Sequence, residues 1–390
     1  MTFKIIHLVN DEKFIHFIAE MFNTCEGVTN QFIVIVPDTS EPLKLVSGLT
    51  NMAVIDKSFI LSGDLKRDIA SCSAVIVHYL DPTKAMIALR LPKHVPVVWS
   101  GWGADYYDYI AKSKGSLLSI ESALLHTALT QPPHTTPSTS KIIKKVHIFI
   151  RSAIKSLIFN RFLCRVNYFS APIPEDYDLL ASSLSGRFKA EYIQINYGSV
   201  DKTFTPGPTA LVGDDILVGN SAHISNNHLE VFRLLSRLDL KGRRIIVPLS
   251  YGKPDYREVV ISRGYEYFGD AFHPLVDFMP IDQYNNLIAK CSVVIMGHIR
   301  QQAVGNTATM LYKGAKVYLD ETSTVYHFFK SRGAFISGLE ELNKNSENMF
   351  LPLSGDQRTK NKEVLKAFWG DDIVRNNTHK LVELLKTASR

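Results

Sequence analysis

The sequence predicts an α/β protein made of two doubly wound, parallel-sheet domains facing a cleft. Three observations predict it. β-Branched apolar runs of buried-strand length recur along the chain, each ended by Pro, Asp or Gly and separated by amphipathic stretches. The pattern halts at a polar segment holding Pro206, Gly207, Pro208 and Gly213, then restarts. A chain of 390 residues is also long enough for two domains, at about 150 residues each.

Taken in order, Phe3 to Val9 is the first strand. Asn10 and Asp11 can cap a helix whose Phe14, Phe17, Ile18, Met21 and Phe22 share one face. Gln31 to Val36, Ala74 to Leu80 and Val95 to Trp99 follow as strands, then Tyr168-Phe169 and Tyr192 to Ile195. These give a first domain over 1–198 and a linker over 199–214. The second domain, 215–390, opens with the strand Asp215 to Gly219 and the helix Asn226 to Leu238. Arg244 to Leu249, Ser292 to Met296 and Lys316 to Leu319 are its further strands, and 282–290 and 303–313 its helices. A last amphipathic helix, 377–385, has no partner legible in the sequence.

The charge balance of +6 is concentrated in one place. No acidic residue occurs from Ser122 to Pro174, a stretch that holds Lys141, Lys144, Lys145, Arg151, Lys155, Arg161 and Arg165. Ile143, Val146, Ile150, Ile154 and Leu157 recur among them at helical spacing. A basic helix rich in Ile and Phe suits the interface of an anionic membrane, and also suits a core helix with a basic outer face. No motif for nucleic acid accompanies it, so nucleic acid is not expected as a partner. No run of 18 apolar residues exists to span a bilayer, and the N-terminal residues carry no secretory pattern. Cys25, Cys72, Cys164 and Cys291 are too dispersed for a disulfide framework or a structural zinc site. A cytosolic setting is the expectation.

In open parallel sheets ligands bind beyond the carboxyl ends of the strands, so the residues after each strand are the candidates. Gly219 to His228 offers hydroxyls, amides and a helix N-terminus to an anion, although Ser225 or Asn226 can equally serve as a helix cap. Arg300, Gln301 and Gln302 precede a helix containing Gly305, where a guanidinium can grip a phosphate and a glycine permits close approach. Tyr251 can stack on a base or sugar. In the first half, Trp99 to Tyr109 combines Gly, Trp, Tyr and carboxylates, a mixture that suits a saccharide. Trp102, Gly103, Asp108 and His7 are therefore acceptor-side candidates, and Asp105 is the candidate general base. The competing reading puts Trp102 in the core, makes Asp105 a cap and leaves His7 structural.

The runs Trp102-Gly103-Ala104-Asp105, Ile216 to Ser221 with Ser225, Asn226 and His228, and Arg300-Gln301-Gln302 with Gly305 and Thr307 resemble one enzyme family. It is the 4-alpha-L-fucosyltransferase family, the Fuc4NAc (4-acetamido-4,6-dideoxygalactose) transferases of enterobacterial common antigen synthesis. The resemblance runs from about residue 95 to 330. It implies a GT-B fold of two Rossmann-like domains, the first for the acceptor and the second for the sugar nucleotide. It implies a dTDP-activated 4-acetamido-4,6-dideoxyhexose of the Fuc4NAc or Qui4NAc type and an undecaprenyl-diphosphate-linked saccharide acceptor. No cofactor and no metal are implied. The site is placed at the cytoplasmic face of a bacterial inner membrane, with Lys141, Lys144, Lys145, Arg151 and Lys155 on the lipid side. By position, Asn220, Ser221, His228, Arg300, Gln301, Gln302, Gly305, Asn306 and Thr307 would face the donor, Arg300 stabilising the leaving diphosphate.

The stretch 127–160 is longer and more basic than the family pattern, which leaves an O-antigen pathway as open as the common antigen. Three alternatives stand beside this reading: a transferase of the same fold using a UDP- or GDP-sugar, a sugar-nucleotide epimerase or hydrolase, and a non-catalytic binding module.

Overall fold

The first sheet is built around a strand whose last five residues are all buried. The computed structural model describes residues 2–56, 69, 71–130, 139–204, 207–344 and 346–389. In it β1 (Phe3–Val9) pairs in parallel with β2 (Val28–Val36) and with β4 (Ala74–His78), and β3 (Met52–Asp56) lies outside β2. β5 (Val97–Ser100), β6 (Tyr168–Ser170) and β7 (Glu191–Tyr192) extend the other side, giving the order β3-β2-β1-β4-β5-β6-β7. Its helices begin with α1 (Ile15–Asn23), α2 (Pro82–Leu89) and α3 (Tyr107–Lys114). The next helix, α4 (Ile120–Thr130), packs with the second domain, and α5 (Thr139–Leu163) and α6 (Pro174–Ser183) return to the first.

The second sheet is also entirely parallel, in the order β10-β9-β8-β11-β12-β13. Its elements are β8 (Asp215–Val218), α7 (His228–Leu235), β9 (Ile245–Pro248), α8 (Pro254–Phe268), β10 (Phe272–Leu275) and α9 (Ile281–Ile288). Then come β11 (Cys291–Met296), α10 (Val304–Lys313), β12 (Lys316–Leu319), α11 (Thr324–Ser331), β13 (Ser337–Gly338), α12 (Leu339–Lys344) and α13 (Gly355–Trp369). In both sheets the strand order reverses beside the first strand, at β1/β4 and at β8/β11, and these switch points mark where a ligand is expected.

Two segments cross the boundaries expected from the sequence. The compact units are residues 1–114, 133–198 and 372–390, and residues 115–132 with 199–371. α14 (Asp371–Ala388) buries Leu381, Val382 and Leu385 against Ile5, Phe22 and Val34 of the first domain, and His379 Nε2 meets Thr24 Oγ1 at 2.9 Å. α4 instead serves the second domain. Glu230 of α7 accepts from Ser122 N–H and Oγ at 2.8 and 2.7 Å, and Glu121 pairs with Arg233 at 2.6 Å. The expected linker is partly built into the second domain too. Residues Val200–Phe204 form a π-helical turn whose Phe204 ring packs edge-on against Trp369.

Candidate functional site

In the first domain, the loops after β4 and β5 converge. Tyr79, directly after β4, holds φ at +56°, a conformation that costs a non-glycine residue energy and needs support. Lys84 supplies it. Its side chain is fully buried, and Nζ donates to the carbonyls of His78 and Tyr79 at 2.7 and 2.8 Å. Burial pulls the Lys84 ammonium down to about 8, against the charge of Asp81. Asp81 caps α2 by accepting from the N–H groups of Thr83 and Lys84.

Asp105 ties the two loops together. Its Oδ2 accepts from Leu80 N–H and Trp99 Nε1, both at 2.9 Å, and its Oδ1 from Trp102 N–H at 2.8 Å. Burial raises its pKa and these hydrogen bonds oppose the rise. A carboxylate so engaged has little acceptor capacity left for a substrate proton, so the geometry gives Asp105 the role of a loop staple. Asp108 is different. It sits in the first turn of α3 and is exposed, and with Asp105, Tyr79, Asp81, Tyr109 and Lys155 it lines a cavity of about 220 Å³.

Trp102 packs between Phe14, Tyr79 and Tyr197, with ring centroids 5.6 to 6.1 Å away, and its Nε1 is buried without a hydrogen-bond partner. Gly103 holds φ at +102°, which a side chain would oppose. His7 is not at a strand end, because β1 continues to Val9. It is fully buried, stacked on Phe32 and bonded to His78 and Asn30 at 3.0 and 3.3 Å. Burial lowers its pKa to about 4, opposed by the Asn30 hydrogen bond. It is a core residue, and the acceptor-side role expected of it has no geometric basis.

In the second domain, the loops after β8, β9 and β11 meet in one polar network. Asn220 is its centre. Its amide donates to Tyr251 Oη at 3.0 Å, while its Oδ1 accepts from Gln302 Nε2 at 2.9 Å and faces His298 Nε2 at 3.2 Å. Gln302 Oε1 in turn receives Arg300 Nε at 3.1 Å and Ser225 Oγ at 2.5 Å. Asn226 closes the ring: its Nδ2 donates to the carbonyls of Ser221 and His223, and its Oδ1 faces His298 Nε2 at 2.9 Å. That fixed amide orientation puts the proton of His298 on Nε2. Burial, then the charge of Arg300, depresses the His298 pKa well below its ordinary value.

These groups are amides, hydroxyls and a neutral imidazole, with Arg300 as the cation among them. α10 begins immediately beyond. Its N-cap, Ala303, sits at φ +54° and makes no side-chain cap, and a helix N-terminus of this kind suits an anion.

Not every expected residue joins the network. Asn306 donates to Tyr284 Oη at 3.2 Å. Gln301 and Thr307 are buried. Gly305 is a packing glycine, since a Cβ there would stand 3.3 Å from the Phe204 ring. His228 is fully buried at the start of α7, with Nδ1 at 3.0 Å from Tyr256 Oη. Burial lowers its pKa to about 3. It props the β8 loop from behind: a Cβ on Gly219 would come within 2.6 Å of its Nε2. His298 was not among the residues expected at the site, and Asn226 was expected only as part of the Gly219 to His228 loop or as a helix cap. Their importance lies in contacts 72 residues apart that no local spacing reveals.

α5 carries the basic segment. Ile150, Ile154 and Leu157, at helical spacing, are 47, 52 and 53% exposed, and Arg151 and Lys155 are exposed beside them. The side chains of Lys141, Lys144 and Lys145 lie outside the described residues. Among the described residues no helix is long and apolar enough to cross a membrane, and no group of three or more His, Cys, Asp and Glu forms a candidate metal site.

Comparison with known proteins agrees with this architecture. The whole chain superposes on sucrose-phosphate synthase from Thermosynechococcus elongatus, with TM-score 0.62, 8% identity, and coverage of 99% of this chain and 100% of that one. It matches a glycosyltransferase from Rickettsia africae ESF-5 with TM-score 0.62 and 13% identity, covering 99% and 98%. It matches the lipopolysaccharide outer core galactosyltransferase WaaB with TM-score 0.61 and 9% identity, covering 98% and 99%. At such identities the likeness is one of fold. The family described as 4-alpha-L-fucosyltransferase, glycosyl transferase group 56, matches residues 206–329, the stretch that holds all three loops of the polar network. The chain is thus a glycosyltransferase of the GT-B fold, and its second domain carries the signature of the 4-alpha-L-fucosyltransferase family.

Proposed function

We propose that the enzyme transfers a 4-acetamido-4,6-dideoxyhexose from a dTDP-sugar to an undecaprenyl-diphosphate-linked saccharide. The observation that carries the reading is the network of Asn220, Ser225, Tyr251, His298, Arg300 and Gln302 at the strand ends of the second domain. The acceptor hydroxyl oxygen attacks the anomeric carbon, and the bond from that carbon to the diphosphate oxygen breaks. The electron pair leaves with dTDP. Arg300 and the N-terminus of α10 stabilise the charge that develops there. The hydroxyl proton passes to Asp108, the most exposed of the three carboxylates that line the first-domain cavity. No metal is required in this scheme, because a guanidinium and a helix N-terminus already meet the leaving group.

The enzyme works peripherally at the cytoplasmic face of the bacterial inner membrane, in common-antigen or O-antigen synthesis. The exposed aliphatic stripe and adjacent cations of α5 support an anionic lipid surface as its partner. Thermal protection by dTDP, UDP and GDP, each alone, tests the donor: dTDP should protect, and protection by UDP without dTDP would sink the assignment. Sedimentation with anionic vesicles tests the surface, where absence of binding would return the epimerase or hydrolase reading.

A further inference from the structure

One groove in the first domain has the chemistry of an amphipathic, phosphate-bearing ligand. The 220 Å³ cavity at the ends of β4 and β5 does not close on itself. It shares Asp108, Tyr109 and Lys155 with a second hollow between α3 and α5, lined also by Lys112, Ser152 and Ser156. That hollow shares Tyr109, Lys112 and Ser156 with a third, which adds Asn160, Ser183 and Arg187. The three form one trough along the α3/α5 seam. Tyr109 stacks flat on Phe159 in its lining, with centroids 3.4 Å apart and planes 5° apart.

The lining changes character along its length. At the strand ends the polar groups are the carboxylates Asp81, Asp105 and Asp108 and the phenols Tyr79 and Tyr109, with Lys155 shared with the second hollow. Such groups accept from and donate to sugar hydroxyls. The second hollow sets Asp108 beside Lys112 and Lys155, and the third carries Lys112, Ser156 and Arg187 with no carboxylate in its lining. Ammonium, guanidinium and hydroxyl groups without a carboxylate suit phosphate oxygens. The same α5 presents Ile150, Ile154 and Leu157 to solvent. Sugar, phosphate and hydrocarbon are therefore met by surfaces of one continuous helix seam.

We propose that the α3/α5 trough holds the diphosphate of a lipid-linked acceptor through Lys112, Lys155 and Arg187, and so aims its terminal sugar at Asp108. This rests on the transferase reading above and adds the acceptor's direction: phosphate between α3 and α5, sugar at the ends of β4 and β5, lipid chain along the aliphatic stripe. It separates recognition of the lipid-linked phosphate from simple adhesion to an anionic surface.

The test compares co-sedimentation of the full chain with phosphatidylcholine vesicles carrying either polyprenyl diphosphate or phosphatidylglycerol at matched charge, with inorganic pyrophosphate as soluble competitor. The wild type should prefer the polyprenyl diphosphate vesicles, and pyrophosphate should reduce that preference. Lys112→Ala should weaken binding to the polyprenyl diphosphate by about fivefold, the effect of one cation near a phosphate surface. Ser156→Trp, which fills the trough without changing charge, should abolish the preference and leave phosphatidylglycerol binding intact. Equal wild-type binding to the two vesicles, or a preference that survives both variants, overturns the proposal. Protection by dTDP is measured on the same preparations. Its loss in the wild type would defeat the transferase reading itself, whereas dTDP protection alongside an unaltered lipid preference in the variants defeats the trough alone.

Discussion

Replacing Asp105 by Asn separates two roles that a sequence motif cannot distinguish. The carboxylate accepts three hydrogen bonds, from Leu80 N–H, Trp99 Nε1 and Trp102 N–H, at 2.8 to 2.9 Å. An amide can keep the two at Oδ2 by placing its oxygen there. Its NH₂ then faces the Trp102 N–H, and that buried donor is left without an acceptor. The lost charge-assisted bond and the stranded donor together cost about 2–4 kcal/mol. For a domain of this size that lowers Tm by roughly 5–12 °C. Thermal unfolding followed by circular dichroism reads the shift. Asp108→Asn, on an exposed carboxylate, should leave Tm within about 1 °C while lowering kcat by about 10²–10⁴, the usual worth of a general base. If Asp105→Asn kept the wild-type Tm and lost all turnover, the staple assignment would be refuted and Asp105 would be the base.

Other outcomes follow from the same geometry. Arg300→Ala should remove most dTDP protection and lower kcat/KM by at least about tenfold, with Arg300→Lys intermediate because an ammonium keeps the charge but lacks the planar, bidentate fork of the guanidinium; protein-detected dTDP titration checks it. Acid should destabilise the fold. His7 and His228 are buried neutral with pKa lowered to about 4 and about 3, so their contribution is complete above the unfolded value of 6.5 and is lost as pH falls toward those values. For His7 alone this amounts to about 3 kcal/mol, and Tm measured from pH 7 to 4 should fall, less steeply in His7→Gln. Truncation before Asp371 should prevent the first domain from folding: α14 buries Leu381, Val382 and Leu385 completely, worth about 5–8 kcal/mol out of a typical stability of about 5–15 kcal/mol. Far-ultraviolet circular dichroism of the truncated chain reads that loss.

What the sequence disclosed was whatever depends on neighbours in the chain. β1, β8 and β12 were legible because central parallel strands are buried on both faces and read as unbroken apolar runs. The strands that escaped notice, β3, β10 and β13, are all outermost in their sheets. An edge strand has one hydrogen-bonding partner and tolerates polar residues, and in β10 even Pro274. α14 was visible as a helix but not as part of the first domain, because an apolar stripe states that a partner exists without naming it. The same limit governs the site. Arg300, Gln302 and Asn220 were recognisable as strand-end polar residues, whereas the exclusion of His7 and the demotion of Asp105 required knowledge of their neighbours.

Asp105 shows why motif density is an unsafe guide to catalysis. The loop Trp99 to Tyr109 must turn a buried strand into a helix while its backbone N–H groups leave the sheet ladder, and each such group needs an acceptor. One carboxylate satisfies Leu80 and Trp102 and also the Trp99 indole. Tyr79, held at positive φ by Lys84, completes the opposite wall. The residues that make this loop look catalytic are largely those that make it rigid, and rigidity is what a general base one turn later requires. A proton acceptor must keep a lone pair free. Asp105 spends its lone pairs on the scaffold, whereas the scaffold leaves Asp108 exposed, which is why the proposed transfer uses Asp108 and why the two Asn variants are compared.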